Sequence, residues 1–232
     1  MIDVRRGVRR MVRRAGFQRT IAPTFADVMR HHNVDVLLDV GANDGDYARE
    51  IRDAGYAGRI VSFEPASATF ARLSRAAARD PAWEAVQLGV GEANGHLDLS
   101  VSAIDVYSSF KQPSAFGNEA AGARAVASER VEVVRLDDYL QVHSHLLSRT
   151  YLKIDTQGFE AEVLRGAGDA LDRFVAVQAE LGLVALYEGQ MDWLEVVTWM
   201  RGRGFEVATM VCNAADRPRG KAIEYDIVFT RP

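Results

Sequence analysis

The chain has 232 residues, of which 48% are hydrophobic and 26% charged, with 19 Gly, 6 Pro and one Cys. That length fits one globular domain with a terminal extension, and the composition excludes a disordered or collagen-like chain. A lone Cys212 excludes a disulfide framework and any multi-cysteine metal site.

The net charge of −4 is unevenly distributed. Residues 1–19 hold seven Arg and one Asp, a local balance of +6 that leaves −10 for residues 20–232. An acidic body repels phosphate backbones, so nucleic acid is not an expected partner of the main domain. No segment reaches the ~20 apolar residues of a membrane span, and no apolar stretch follows the N-terminal basic residues as in a secretory signal. A cytoplasmic location is expected. Within the opening stretch, Val4, Val8, Met11, Val12 and Ala15 fall at helical spacing between arginines, which predicts a basic amphipathic helix. Residues 1–33 thus read as a helical extension. It serves either as a peripheral anchor on anionic lipid or as a helix packed on the body or across a homodimer interface. Residues 34–232 read as the main domain.

From there strands and helices alternate. Val34–Val40 is a short apolar run ending in a glycine turn, the form of a buried parallel strand. A helix follows over Tyr47–Ala54, then a strand over Arg59–Phe63, a helix over Ala68–Arg79 and a third strand over Ala85–Val90. Leu97–Val101 and Val131–Leu136 alternate with period two and can pair. The long polar stretch between them, within Ala103–Arg130, reads as a lid over the acceptor or as disorder. Asp137 or Asp138 caps a helix running through Leu147. A strand at Tyr151–Ile154, a helix at Ala161–Leu164, a strand at Val175–Glu180 and a helix at Trp193–Arg203 complete the alternation. The chain closes with Phe205–Val211 and Ile223–Thr230 as a hairpin. The expected fold is α/β: a doubly wound, mostly parallel seven-stranded sheet with a C-terminal antiparallel hairpin.

In such sheets ligands bind beyond the carboxyl ends of the strands, where strand order reverses. The first strand ends Asp39-Val40-Gly41-Ala42-Asn43-Asp44-Gly45-Asp46-Tyr47, and the second ends Phe63-Glu64-Pro65. Gly41 and Gly45 allow a tight turn and close approach to a ligand. Glu64, 23 positions after Gly41, stands where an acidic side chain grips a ribose diol. The G-x-x-x-G spacing is not the dinucleotide G-x-G-x-x-G, and carboxylates at Asp39 and Asp46 disfavour a pyrophosphate. They favour the ammonium and sulfonium of S-adenosyl-L-methionine. The candidate cofactor-binding set is Asp39, Gly41, Ala42, Asn43, Gly45, Tyr47, Glu64, Pro65 and Gly89.

Asp155 and Glu180 end two strands expected to be neighbours, which places both carboxylates at the cofactor rim. A second carboxylate and partial burial can raise one pKa and make a better general base. Alternatively, the pair holds Mg²⁺. A third reading leaves Asp155 orienting the cofactor and Lys153, with Glu180 capping a turn. Lys153 reads as a charge partner for Asp155 or Glu180, or as a snorkelling side chain. Tyr187 and Glu188 line the acceptor site or form a surface turn at Gly189. His143 and His145 read as solvated, His96 as part of a turn, and Trp193 and Trp199 as core or interface residues.

Several separated blocks resemble the FkbM-type S-adenosylmethionine-dependent methyltransferases. They are Asp39–Gly45, Phe63–Pro65, Leu136-Asp137-Asp138-Tyr139-Leu140, Lys153-Ile154-Asp155-Thr156-Gln157-Gly158-Phe159-Glu160 with Val163-Leu164 and Gly166-Ala167, Gln178-Ala179-Glu180, and Leu186-Tyr187-Glu188-Gly189. The Lys153–Glu160 block is the most distinctive, with Thr156 where a branched apolar residue is more usual. The resemblance implies a class I, Rossmann-like fold and O-methylation of a hydroxyl, on a sugar in a glycolipid, polysaccharide or glycosylated natural product. The competing readings are a nicotinamide-dependent oxidoreductase on a related sheet and a cofactor-binding module without turnover.

Overall fold

The computed structural model describes residues 23–102, 107–121 and 125–232. The basic helix expected within residues 1–19 lies outside the described residues. Thr24 opens the first described helix, α1 (Phe25–His31), through a capping box with Asp27.

The strands are β1 (Val36–Val40), β2 (Arg59–Phe63), β3 (Trp83–Val86), β4 (Gly89–Gly91), β5 (Gly95–Ser102), β6 (Ala125–Arg135), β7 (Thr150–Ile154), β8 (Phe174–Gly182), β9 (Glu206–Asp216) and β10 (Lys221–Thr230). Seven of them form the main sheet in the order β3-β2-β1-β7-β8-β10-β9. All its pairings are parallel except those of β10, which runs antiparallel to both β8 and β9. Strand order reverses beside β1, which pairs with β2 on one side and β7 on the other. The carboxyl ends of these strands therefore bound the crevice where a ligand is expected.

The apolar runs are buried on both faces because helices cover both. These helices are α2 (Asp46–Asp53), α3 (Ser67–Ala77), α5 (Leu136–Val142), α6 (Glu160–Gly166) and α7 (Trp193–Gly202), besides α1; a short α4 (Ala115–Ala121) lies in the peripheral stretch before β6. Val36, Leu38, Val40, Phe63, Leu152 and Ile154 pack into one core with Leu140 of α5, Val163 of α6 and Met200 of α7. Leu37, Ile60 and Tyr151 point the other way. They meet Val28 and Met29 of α1, Ile51 of α2 and Leu73 of α3. The strict alternation along β1 is the period-two geometry of a strand. It also assigns Asp39 to the α1–α2–α3 face.

The expected single strand over Ala85–Val90 is instead two. β3 ends at Val86, and β4 leaves the main sheet to join a three-stranded sheet, β4-β6-β5. β5 and β6 pair antiparallel as the sequence suggested, but within this second sheet, and His96 lies in β5 rather than in a turn. An apolar run that continues through a bend reads as one strand, because periodicity does not register a change of partner. The helix after β6 starts at Leu136 with Arg135 as N-cap. Asp137 and Asp138 therefore fall in its first turn, where they complement the dipole rather than cap it. α5 ends at Val142, short of Leu147, and a 3₁₀ turn over Ser144–Leu146 follows. Gly204 (φ +80°) follows the C-cap Arg203 and terminates α7. Trp193 and Trp199 pack against the core. No helix among the described residues is long and apolar enough to cross a membrane.

Candidate active site

A cleft of about 860 Å³ opens over the carboxyl ends of β1, β2, β7 and β8. Residues from distant parts of the chain complete it: Leu88–Val90, Tyr107–Phe110, Leu186–Tyr187, and the end of the β9–β10 hairpin.

At one end stands Glu64, which is buried. Its Oε2 accepts the Asn43 backbone N–H at 3.0 Å and its Oε1 accepts that of Ala66 at 2.9 Å. Asn43 takes a left-handed φ of 50°, and its Oδ1 accepts the N–H of Asp44 at 2.7 Å. The loop after β1 is thus wound around the carboxylate at the tip of β2. Burial pushes the Glu64 pKa up to about 7, against the opposing pull of the Ala66 and Asn43 amides. Each carboxylate oxygen has one amide partner, leaving acceptor capacity for two ligand hydroxyls.

Gly41, Asn43, Glu64, Pro65 and Gly89 all line the cleft, whereas Asp39, Ala42, Gly45 and Tyr47 do not. A Cβ on Gly41 (φ +75°) would collide with the Asp155 carbonyl, and one on Gly45 (φ +87°) would sit 2.7 Å from the Trp83 ring. At both positions the protein itself already requires glycine: Gly45 lies away from the cleft, while Gly41 lines it and also abuts the Asp155 carbonyl. Tyr47 is turned into the core face, where its hydroxyl donates to Gln178 Oε1 at 2.6 Å. Asp39 is fully buried, accepts from Ser62 Oγ at 3.2 Å and lies 3.2 Å from Lys153 Nζ. The strand register explains this contact, since Asp39 is directly opposite Lys153 across the β1–β7 pair.

Lys153 does not snorkel. Its side chain is 6% exposed and lies 3.2 Å from Asp39 and 3.5 Å from Asp155. Burial works against the ammonium, but the charges of Asp39, Asp155 and Asp226 outweigh it and hold the pKa above its ordinary value. Asp39 and Lys153 compensate one another inside the fold, which is the condition for burying either.

The other end of the cleft holds the Asp155–Glu180 pair. Gln157, in a left-handed conformation (φ 56°), donates through Nε2 to Asp155 Oδ1 at 2.8 Å and to Glu180 Oε2 at 2.9 Å. Its Oε1 accepts the Tyr187 hydroxyl at 2.9 Å, and its carbonyl accepts Ser109 Oγ at 2.7 Å. Asn213 joins from β9, donating to Glu180 Oε1 at 2.9 Å and to Asp226 Oδ2 at 2.6 Å. Burial raises the Glu180 pKa well above the ordinary range, and the charges of Asp155, Glu224 and Asp226 add to it. Burial also acts to raise Asp155, but the Lys153 charge and the hydrogen bonds from Glu180 and Gln157 prevail and leave it low. A third of the Asp155 side chain remains exposed, to the cleft, so desolvation acts on it less than full enclosure would. The two carboxylates are thus pushed in opposite directions, Glu180 toward its neutral form and Asp155 toward its ionised form.

This donor set does not fit Mg²⁺. One oxygen of Asp155 and one of Glu180 already face the same amide nitrogen, and the second Glu180 oxygen faces another. Among the described residues no three His, Cys, Asp or Glu side chains converge as a metal site.

Sequence reasoning missed three contributors. Glu160, at the start of α6, accepts the backbone N–H groups of Thr156 and Gly158 at 3.0 Å each, fixing the loop that carries Gln157. Burial raises its pKa to about 7 against those amides. Lys111 donates to the Gly189 carbonyl at 2.7 Å and lies 3.1 Å from Glu162, tying residues 107–114 to α6. Asn213 and the hairpin end close the cleft from the far side of the sheet. The placement of Glu160 four residues after Thr156, at the start of a helix, is a local signal; the other two have none. Of the Ala103–Arg130 stretch, residues 107–121 form a cleft wall bonded to the Leu186–Glu188 loop, and residues from 125 belong to β6. Tyr187 lines the cleft, whereas Glu188 is exposed and only its backbone is engaged, with Gln112. His143 and His145 carry no ligand geometry, lying in and beside the turn after α5.

Comparison with known proteins agrees with this architecture. The chain is 28% identical over 163 residues, 67% of each protein, to 2-O-methyltransferase NoeI of Sinorhizobium fredii (strain NBRC 101917 / NGR234). It is 26% identical over 198 residues to Methyltransferase 1 of Beauveria bassiana (strain ARSEF 2860), covering 78% of this chain and 76% of that protein. The crystal structure of Methyltransferase FkbM from Methylobacillus flagellatus KT shares the fold, with a TM-score of 0.55 at 15% identity over 84% of this chain. The match spans only 44% of that longer chain. The Methyltransferase FkbM domain matches residues 39–207, from the end of β1 into β9 and across the ends of β2, β7 and β8, but short of the hairpin end that completes the cleft. With that match over most of its length, the chain belongs to the FkbM methyltransferase family.

Proposed function

We propose that this protein transfers a methyl group from S-adenosyl-L-methionine to a hydroxyl of a saccharide-class acceptor, without a metal. The carrying observation is the two-ended cleft, with a buried carboxylate braced by two backbone amides at one end and a carboxylate pair bridged by Gln157 at the other. Family membership and the 2-O-methyltransferase named among the relatives support the same reading.

The donor supplies a methyl group on a positively charged sulfur. Glu64 is suited to accept the ribose diol, and Asn43 and Gly41 shape the loop beside it. The acidic lining, with Asp155 ionised, favours a cation between the two ends. Asp155 orients the acceptor hydroxyl through its cleft-exposed carboxylate. Its low pKa makes it a poor base for an unactivated alcohol. Deprotonation therefore runs late: as the O–CH₃ bond forms and the S–CH₃ bond breaks, the acceptor oxygen becomes acidic and its proton passes to Asp155. Orientation rather than prior ionisation then supplies most of the acceleration. Gln157, itself held by the Tyr187 hydroxyl, keeps Asp155 in place beside Glu180.

The test is a pair of measurements. S-adenosylhomocysteine should raise the melting temperature while NAD does not, and labelled methyl should pass from the donor into extracted glycans or glycolipids. A shift with NAD alone favours the oxidoreductase reading. Donor binding with no transfer into any extract favours a binding module.

A further inference from the structure

The cleft is electrostatically two-faced. Its inner lining carries Glu64, Asp155, Glu180 and Glu224, whereas the cationic side chains that line it among the described residues are Arg217 and Arg219, both on the β9–β10 turn, where Asp216 pairs with Arg219 and leaves an excess of one positive charge. The turn reaches the mouth because of how β10 is built. Ala222 pairs with Ala215 and Glu224 with Ala214, so Ile223 is an extra residue with no partner in β9, and a second register shift follows between Glu224 and Tyr225. Such bulges bend a strand and redirect its side chains. Ile223 and Glu224, at this bulge, both line the cleft.

The turn is also braced. Asp216 accepts the Arg219 backbone N–H at 3.2 Å and its guanidinium at 2.9 Å, while Pro218 restricts the backbone between the two arginines. Arg217 is exposed on this fixed turn. The same hairpin contributes Asn213, the amide that holds Glu180. Four residues of strand, about 13 Å, separate Asn213 from Arg217. Arg217 and Asp155 thus line one cleft, with Asn213 on the strand between them.

Resting on the methyltransferase reading above, we propose that the acceptor is a phosphorylated saccharide, its hydroxyl presented to Asp155 and its phosphate held at the cleft mouth by Arg217 and Arg219. A neutral sugar would make no use of the positive charge at the mouth, and a free phosphate would be repelled by the acidic interior. An acceptor with a hydroxyl at one end and an anion at the other suits both. A nucleotide-linked or a polyprenyl-phosphate-linked sugar supplies the same chemistry, and guanidinium groups are the side chains best matched to phosphate.

The experiment measures binding to the full chain saturated with S-adenosylhomocysteine. The probes are a UDP-hexose, a hexose 1-phosphate, a polyprenyl-phosphate-linked hexose in detergent micelles and the matching free hexoses. At least one phosphorylated probe should bind tenfold or more tighter than its free sugar, and that advantage should shrink as salt is raised from about 50 to about 300 mM. Arg217→Ala should remove most of the advantage, Arg217→Lys should restore part of it, and Arg219→Ala should act similarly while also releasing Asp216. Which probe binds best separates the nucleotide source from the lipid source. Equal binding of free and phosphorylated sugars by every probe, or a phosphate advantage indifferent to Arg217, overturns the proposal. S-adenosylhomocysteine affinity is read in parallel: its absence defeats the donor reading, while its persistence in the Arg217 variants confines the effect to the acceptor end.

Discussion

The two ends of the cleft are built in different ways. The Glu64 end is made from two short contiguous stretches, the loop after β1 and the tip of β2, and its decisive contacts run from backbone amides to one carboxylate. The Asp155–Glu180 end is assembled from side chains of five separate segments: β7 and its loop, β8, the Tyr187 loop, the Ser109 segment and the hairpin. Backbone-held sites are robust to substitution around them, whereas side-chain networks respond strongly to the loss of one member. On the proposed reading, the donor end is local in sequence, whereas the acceptor end draws on segments far apart in the chain.

That contrast can be broken most directly at Asp155. Asp155→Asn should lower kcat by roughly 10²–10⁴-fold, the usual span for a group handling a proton in the transition state. Affinity for S-adenosylhomocysteine should stay within about twofold. A parallel loss of both would merge the two ends into one unit. Lys153 is the physical link between them, and Lys153→Met should destabilise the fold by about 3–5 kcal/mol because Asp39 is left buried without its counter-charge. Chemical denaturation measures this directly, and an unchanged midpoint would remove the pair from the fold's support.

Glu64 tests the donor end alone. Glu64→Gln should weaken donor binding by roughly 10-fold, the loss of one or two charge-assisted hydrogen bonds, with kcat at saturating donor little changed. In the unsubstituted protein donor affinity should fall as pH drops below about 7, where the carboxylate takes up a proton. The Glu64→Gln variant should lose that dependence. The ligand-free fold should show the opposite trend in stability. Glu64 and Glu160 both have folded pKa values of about 7, above the ordinary carboxylate range, so between roughly pH 4.5 and 7 the folded state binds more protons than the unfolded chain. Their contribution to stability is full below that window and lost as pH rises through 7. Glu160→Gln should flatten the slope of melting temperature against pH. The smallest effect expected is none: EDTA should leave turnover unchanged, and a metal-dependent recovery would restore the carboxylate pair as a cation site.

Legibility in the sequence follows the same division. β2 runs over the expected Arg59–Phe63, and Glu64 and Asn43 lie where the motif spacing placed them, because a strand end, a glycine turn and an acid one unit later are all local features. Gly41 and Gly45 occupy the expected turn, but the neighbours that require them are Asp155 and Trp83, distant in sequence. Tyr47 shows the same limit. Its place beside the glycine loop suggested the cofactor, but helix α2 turns it beneath the sheet toward Gln178. Gln157 stood within a distinctive block without an evident task, because bridging requires two partners that only sheet order brings together.

The sequence by itself determined the order of strands and helices, the alternating burial that places helices on both sides of the sheet, and the acids and glycines at strand tips. These depend on residue spacing and short-range sterics. Tertiary structure alone decided that β4 leaves the main sheet, that Lys153 lies between Asp39 and Asp155, that Gln157 joins Glu180 to Asp155, and that a bulged hairpin carries Arg217 to the mouth. Each of these arises from the register between strands far apart in the chain. The charge state of a buried carboxylate is set by whatever that register places within a few ångströms of it.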